Sequence, residues 1–201
     1  MNKLPLTFYD RQDVVQIARD LVGKIVVTIL NDKKTSGRIV ETEAYVGITD
    51  KASHSFGGKR TGRNEHMYSA GGTAYVYICY GMHRMLNVVT NKAGIPDAIL
   101  IRAIEPIEGI KIMAERCGKV AGDFTLTRGP GNVAKALGIN KIHSGKHLLD
   151  EEIYLIDDGY KSKNDELGIS PRIGVDSAGE DALLPFRFYV KRNKYVSGKK
   201  T

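Results

Sequence analysis

Cysteine is scarce in this 201-residue chain. Cys79 and Cys117 stand far apart, which argues against a disulfide framework and against a CxxC pair for structural zinc. Long apolar runs are missing too: the longest, 25–30, is broken by Thr28 and falls far short of the roughly 20 residues that cross a bilayer. The opening stretch MNKLPLTFYDRQD has no apolar segment or small-residue cleavage site, so no signal peptide is expected. The compartment implied is the cytoplasm, nucleoid-associated, in a prokaryote, or the nucleus in a eukaryote. There is no fixed-period repeat, no low-complexity linker, no regular βαβ alternation and no phosphate-binding glycine fingerprint, so Rossmann and P-loop readings are weak.

What remains is an ordinary globular composition, 42% hydrophobic and 26% charged, sufficient for one domain over 1–201 with a sizeable core. Thirty Lys and Arg against 23 Asp and Glu leave a net charge of +7, which favours polyanionic partners without specifying a fold. The cations cluster. Lys51, Lys59, Arg60 and Arg63 lie in a glycine-rich stretch, and a basic tail from about 191 carries Lys191, Arg192, Lys194, Lys199 and Lys200. By charge alone, a solvated loop and tail compete evenly with a nucleic-acid face.

Periodicity predicts a helix over 10–21, capped by Asp10 and striped by Val14, Ile17, Ala18 and Leu21. Strands are expected at 24–30 and 37–46 around a polar turn at 31–36, then at 74–80, 84–90 and 98–104. Helices are expected over 108–117 and from Gly129-Pro130-Gly131 to Gly138, and shorter strands at 153–156, 172–175 and 186–190. The polar, glycine-rich 47–73 reads as a long functional loop. The fold class expected is α+β, a curved and largely antiparallel sheet with flanking helices.

Alternate residues of a strand share a face. Over 40–46, Val40, Thr42, Ala44 and Val46 fall on one side and Glu41, Glu43 and Tyr45 on the other; solvated acids are the simplest account of that strand alone. The next strand sets Tyr75 and Tyr77 on one face, with Tyr80 at its end. Beside a basic loop, such aromatics suit base stacking, although core and rim packing would also use them. Arg102 interrupts an apolar run and needs a carboxylate or phosphate partner; Asn87 is a similar polar interruption.

The segments RIVETEAYVG at 38–47, ASHSFGG and RTGRN within 52–64, GTAYVYICYGMHRMLNVV at 72–89, ILIRAIEP at 99–106 and RGPGNVAKALGINK at 128–141 resemble the alkyladenine (3-methyladenine) DNA glycosylase family. RIGV at 172–175 and RFYV at 187–190 are weaker echoes. The likeness runs from about Leu6 to Tyr195 and is least close over 115–128 and 155–169. It implies a monofunctional hydrolase of base excision repair, with no metal or organic cofactor, acting as a monomer, not at a membrane, on double-stranded DNA containing damaged purines. By resemblance, alkylated or deaminated purines of the 3-methyladenine, 7-methylguanine and hypoxanthine type are flipped out and cut at the N-glycosidic bond, leaving an abasic site. Tyr80 matches the residue that intercalates where the base departs. Tyr45, His54 and Tyr77 match the base pocket, and Asn87 the residue that obstructs guanine's 2-amino group. Glu43 matches the general base that activates water and Arg102 the residue beside that water. Lys59, Arg60 and Arg63 are candidates for the DNA backbone.

Competing constellations are thinner. His143 and His147 are four apart, but Gly145 lies between them and no HExxH follows, so surface histidines are expected. Ser53-His54-Ser55 lacks a nucleophile elbow, and His54, His66 and Cys79 lack the zinc-deaminase pattern. Glu41 and Glu43, two apart on one strand, invite an acid–base pair; Glu43 is read as the worker and Glu41 as structural. A non-catalytic reader of damaged or single-stranded nucleic acid, and a lyase using an amine nucleophile, remain the alternatives.

Overall fold

The computed structural model describes residues 2–160 and 164–198; Lys199 and Lys200 of the expected tail lie outside the described residues. In chain order the elements are β1 (Asn2–Lys3), α1 (Leu6–Tyr9), α2 (Val14–Leu21), β2 (Ile25–Leu30), β3 (Lys33–Tyr45), β4 (Ala74–Cys79), β5 (His83–Thr90), β6 (Asp97–Glu108), α3 (Ile110–Cys117), α4 (Pro130–Leu137), β7 (Ile153–Asp157), β8 (Leu167–Ser170) and β9 (Arg187–Val190). The sheet runs β1-β7-β2-β3-β6-β5-β4, with β9 on β3 and β8 on β9. The pairings along it are antiparallel, and the α+β expectation stands.

Several boundaries differ from the sequence reading, each for a local reason. Asp10 closes α1 instead of opening a long helix, and the Asp13 side chain accepts from the Gln16 N–H to start α2. The turn expected at 31–36 shrinks to Asn31 and Asp32, at φ 52° and 57°. Asn and Asp tolerate that left-handed region, and such a two-residue turn matches strand twist, so polar Lys33–Ser36 become strand. β6 runs on through Pro106 to Glu108, delaying α3 until after Gly109. That glycine sits at φ +73°, and a Cβ there would collide with the Lys34 carbonyl oxygen. The strand expected at 172–175 is absent; Leu167–Ser170 pairs with β9 instead.

One face of the sheet carries the core. Ile39, Ala44, Val76, Leu86, Val88, Ile99 and Ile101 pack beneath Ile17 and Leu21 of α2, Met113 of α3, and Val133 and Leu137 of α4. Truncating a fully buried leucine such as Leu137 to alanine costs about 2–5 kcal/mol.

The β3–β6 register shifts between Ser36 and Gly37 and again nearer the centre of the sheet. Ile39 faces Ile104, Glu41 faces Ala103 and Thr42 faces Ile101. Each strand therefore carries one extra residue in turn, Val40 on β3 and Arg102 on β6. Bulges of this kind re-aim side chains. Val40 leaves the core face expected for it and packs with Ala103, Tyr189 and Val196. Thr42 keeps the core side and donates to the Ala18 carbonyl at 2.8 Å.

Candidate active site

The second face of the sheet holds the chemistry. Register places Glu43 opposite Leu100, Leu100 opposite Asn87, and Asn87 opposite Tyr75. Four strands thus present one row of side chains, spaced about 4.8 Å apart across the sheet. The loop after β3 and the loop after β8 roof this row and enclose a cavity of about 400 Å³ lined by Tyr45, His54, Tyr77, Asn87, Arg102 and Ile173, with Tyr80 at the rim.

Glu43 is fully buried, so the account of solvated acids on β3 is corrected. Its Oε1 accepts the Ile173 N–H at 2.7 Å, and its Oε2 accepts the Tyr45 hydroxyl at 2.9 Å and Arg102 Nη1 at 3.2 Å. An ionised carboxylate offers about four acceptor positions, so one remains open. Burial pushes the Glu43 pKa above the ordinary carboxylate range, and Arg102, the Ile173 amide and the Tyr45 hydroxyl pull it back. The three groups that touch Glu43 all line the cavity.

Glu41 is fully buried too but turned to other partners. Its Oε1 accepts from Arg102 Nε at 2.9 Å, Arg187 Nε at 2.8 Å and Ser197 Oγ at 2.9 Å, and its Oε2 from the Ser197 N–H at 2.6 Å. Arg102 is thereby held between both acids, and its Nη2 donates to Ser197 Oγ at 3.1 Å.

The aromatic wall is built by alternation and a loop. Tyr75 and Tyr77 stack at 5.5 Å, and His54 meets Tyr77 edge-on at 4.5 Å and shares a 2.9 Å hydrogen bond with the Tyr75 hydroxyl through Nδ1. Burial, then the charges of Arg63 and Lys59, lower the His54 pKa to about 4, leaving a neutral ring at pH 7. The Tyr77 hydroxyl is pushed up to about 12, chiefly by burial. Asn87 donates both amide hydrogens, to the Tyr75 and Met85 carbonyls at 3.2 Å each, which locks its orientation.

Tyr80 stands apart, 86% exposed at the tip of the β4–β5 hairpin with φ 50°. Of the basic loop candidates, Arg63 lines the cavity over the Tyr77 ring at 5.5 Å, whereas Arg60 is held in a two-pronged pair with Glu65 and Lys59 is exposed. His143, expected at the surface, is buried and closes a capping box by accepting the Asn140 N–H at 2.8 Å.

The family model described as methylpurine-DNA glycosylase matches residues 7–194. An Alkaliphilus oremlandii protein named "Putative 3-methyladenine DNA glycosylase" is 44% identical over 204 residues, 98% of this chain and 100% of its own. A Methanocella arvoryzae protein of the same name is 45% identical over 197 residues, covering 98% of this chain and 96% of its own. The chain belongs to the methylpurine-DNA glycosylase family. It is accordingly an enzyme of the hydrolase class, with DNA as its substrate.

In this glycosylase, sequence reasoning missed the groups that brace the site. Arg172 is buried in a two-pronged pair with Asp50, donates to the Ala44 carbonyl at 2.9 Å and lies 4.9 Å over the Tyr45 ring. It also precedes Ile173, the backbone donor to Glu43. Arg187 and Ser197 brace Glu41 in the same way. RIGV and RFYV contain both arginines, but their acids lie 122 and 146 residues away in the chain, so no local spacing reveals the pairs. Among the described residues no helix is long and apolar enough to cross a membrane.

Proposed function

We infer that this glycosylase removes alkylated or deaminated purines from double-stranded DNA by flipping the nucleotide into the tyrosine-lined cavity and hydrolysing the N-glycosidic bond. The carrying observation is the carboxylate of Glu43, under the cavity floor, with every partner it touches exposed to that cavity. Extrusion costs a few kcal/mol and is repaid by stacking of the base between aromatic rings. Tyr80, projecting into solvent beside the cavity mouth, fills the vacated step. A purine departs C1′ through an oxocarbenium-like state, which a nearby carboxylate stabilises while its open acceptor position takes a proton from the attacking water. Arg102 keeps Glu43 ionised and restrains that water. The locked Asn87 amide obstructs the 2-amino group that distinguishes guanine from hypoxanthine.

Glu43→Gln tests the chemistry. Removing a general base costs about 10²–10⁴-fold, so single-turnover release of hypoxanthine from a duplex, read as alkali-labile strand breaks, falls by that order while lesion binding persists. Near-normal release would remove Glu43 as the base. Trapping with borohydride, which captures a Schiff base, distinguishes hydrolysis from an amine-driven lyase.

A further inference from the structure

The β4–β5 hairpin that carries Tyr80 divides two hollows. On one side is the cavity, which Pro130 of α4 helps to line; on the other is a groove of about 520 Å³ that reaches the next residue of the same helix, Gly131. This second groove is cationic. His83 and Arg84 enter from the hairpin, Arg116 from α3 and Lys135 from α4, and none of its lining residues is acidic.

The cations there are also uncommitted to acids. Elsewhere on the surface Lys3 pairs with Glu151, Arg11 with Asp20, Arg38 with Asp158 and Arg60 with Glu65. Among the described residues, Arg84, Arg116 and Lys135 form no such pair. Arg84 donates to the Met82 carbonyl at 3.0 Å and to Asn140 Oδ1 at 3.3 Å, Lys135 to the Cys117 carbonyl at 3.4 Å, and Arg116 to the Ala136 carbonyl at 2.9 Å. These bonds orient the heads without neutralising them, leaving a fixed positive trough. The ligand chemistry it fits is a run of phosphodiesters, whose contacts with Arg and Lys supply much of DNA affinity.

Placement indicates which phosphodiesters. A duplex opened at one step by Tyr80 sends its two strands past opposite sides of the hairpin. The strand that yields the base must run along the cavity side, where Arg63 lies. We propose that the groove of His83, Arg84, Arg116 and Lys135 binds the backbone of the complementary, undamaged strand. The proposal rests on the base-flipping reading above, and its consequence is that this surface makes the enzyme bind duplex more tightly than single-stranded substrate.

Arg84 and Lys135 are the positions to test, because Lys135 is exposed and Arg84 half-buried, whereas Arg116 also donates to the buried Thr35. Arg84→Ala, Lys135→Ala and the double variant are titrated by fluorescence anisotropy against a hypoxanthine duplex and against the same lesion strand alone, over a salt series. Each lost phosphate contact lowers the log–log salt slope by about one. The duplex Kd therefore rises several-fold, the slope falls by about one for each single variant and about two for the double, and the single-strand Kd changes little. Lys135→Arg restores duplex binding, and unchanged melting temperatures exclude misfolding. Equal weakening on both substrates, or none on either, overturns the proposal. Failure of the wild-type enzyme to release base would sink the glycosylase reading separately, since the duplex-to-single-strand ratio of Kd still judges the groove.

Discussion

Replacing Arg102 with methionine strips Glu43 of its charge partner while approximating the volume of the side chain. Arg102 Nη1 lies 3.2 Å from Glu43 Oε2, which at an effective dielectric of 20 is worth at most about 5 kcal/mol. Breaking a buried pair from one side typically costs about 3–5 kcal/mol, so the two estimates agree in scale. The stranded charge is Glu43 rather than Glu41. Glu41 keeps Arg187 at 2.8 Å and both Ser197 donors, whereas Glu43 keeps only the Ile173 amide and the Tyr45 hydroxyl. With Arg102 gone, its largest downward influence is lost and the already raised Glu43 pKa climbs further. A carboxyl whose folded pKa lies above its unfolded value stabilises the fold fully below the unfolded value, and that contribution fades as pH rises through the folded one. Urea unfolding should thus find Arg102→Met several kcal/mol less stable than wild type at pH 8 and closer to it at pH 5. The acid limb of the single-turnover rate should move to higher pH, because the base is protonated sooner. A loss below about 1 kcal/mol, equal at both pH values, would show that the pair is not what holds Glu43 in its ionised state.

Three further outcomes follow from the geometry. Tyr80→Ala should leave the melting temperature nearly unchanged, since the ring is 86% exposed, yet weaken binding of a lesion duplex in an anisotropy titration; equal affinity would deny Tyr80 a role as wedge. Asn87→Ala should increase release of undamaged guanine measured by chromatography, and release that stays at background counts against obstruction of the 2-amino group. His54 has a folded pKa lowered to about 4 against an unfolded value near 6.5. Its stabilising contribution is therefore complete above pH 6.5 and is lost as pH falls toward 4, so His54→Gln should flatten the melting temperature across that window. A variant that loses stability as steeply as wild type would show that other groups set the acid sensitivity.

Much of the architecture was legible because it depends on nearest neighbours and simple periods. The Val14, Ile17, Ala18, Leu21 stripe, the Gly129-Pro130…Gly138 helix and the alternation of Tyr75 with Val76 could be read directly, and each packs as its period requires. The short errors came from competing local signals. Asn31-Asp32 could make a tight turn by itself, so Ser36 went into a strand, and Asp13 outcompeted Asp10 as a helix cap. The bulge at Val40 and Arg102 was invisible, because strict alternation assumes equal residue counts on facing strands.

The residue types of the site, two acids and a tyrosine on one strand, an arginine in an apolar one, aromatics beside a basic loop, were determined by the chain alone, as was membership of the family. Tertiary structure decided which acid bonds to Tyr45 and Ile173 of the cavity lining and which is turned to Arg187 and Ser197. Glu41 and Glu43 are chemically identical, and apart from the neighbouring Tyr45 hydroxyl on Glu43, what makes them different is partners brought from more than a hundred residues away, Arg187 and Ser197 for one and Ile173 for the other. Burial amplifies that difference. In a low-dielectric interior, an acid's behaviour is set by the few donors within hydrogen-bond reach, and the placement of those donors is a property of the fold.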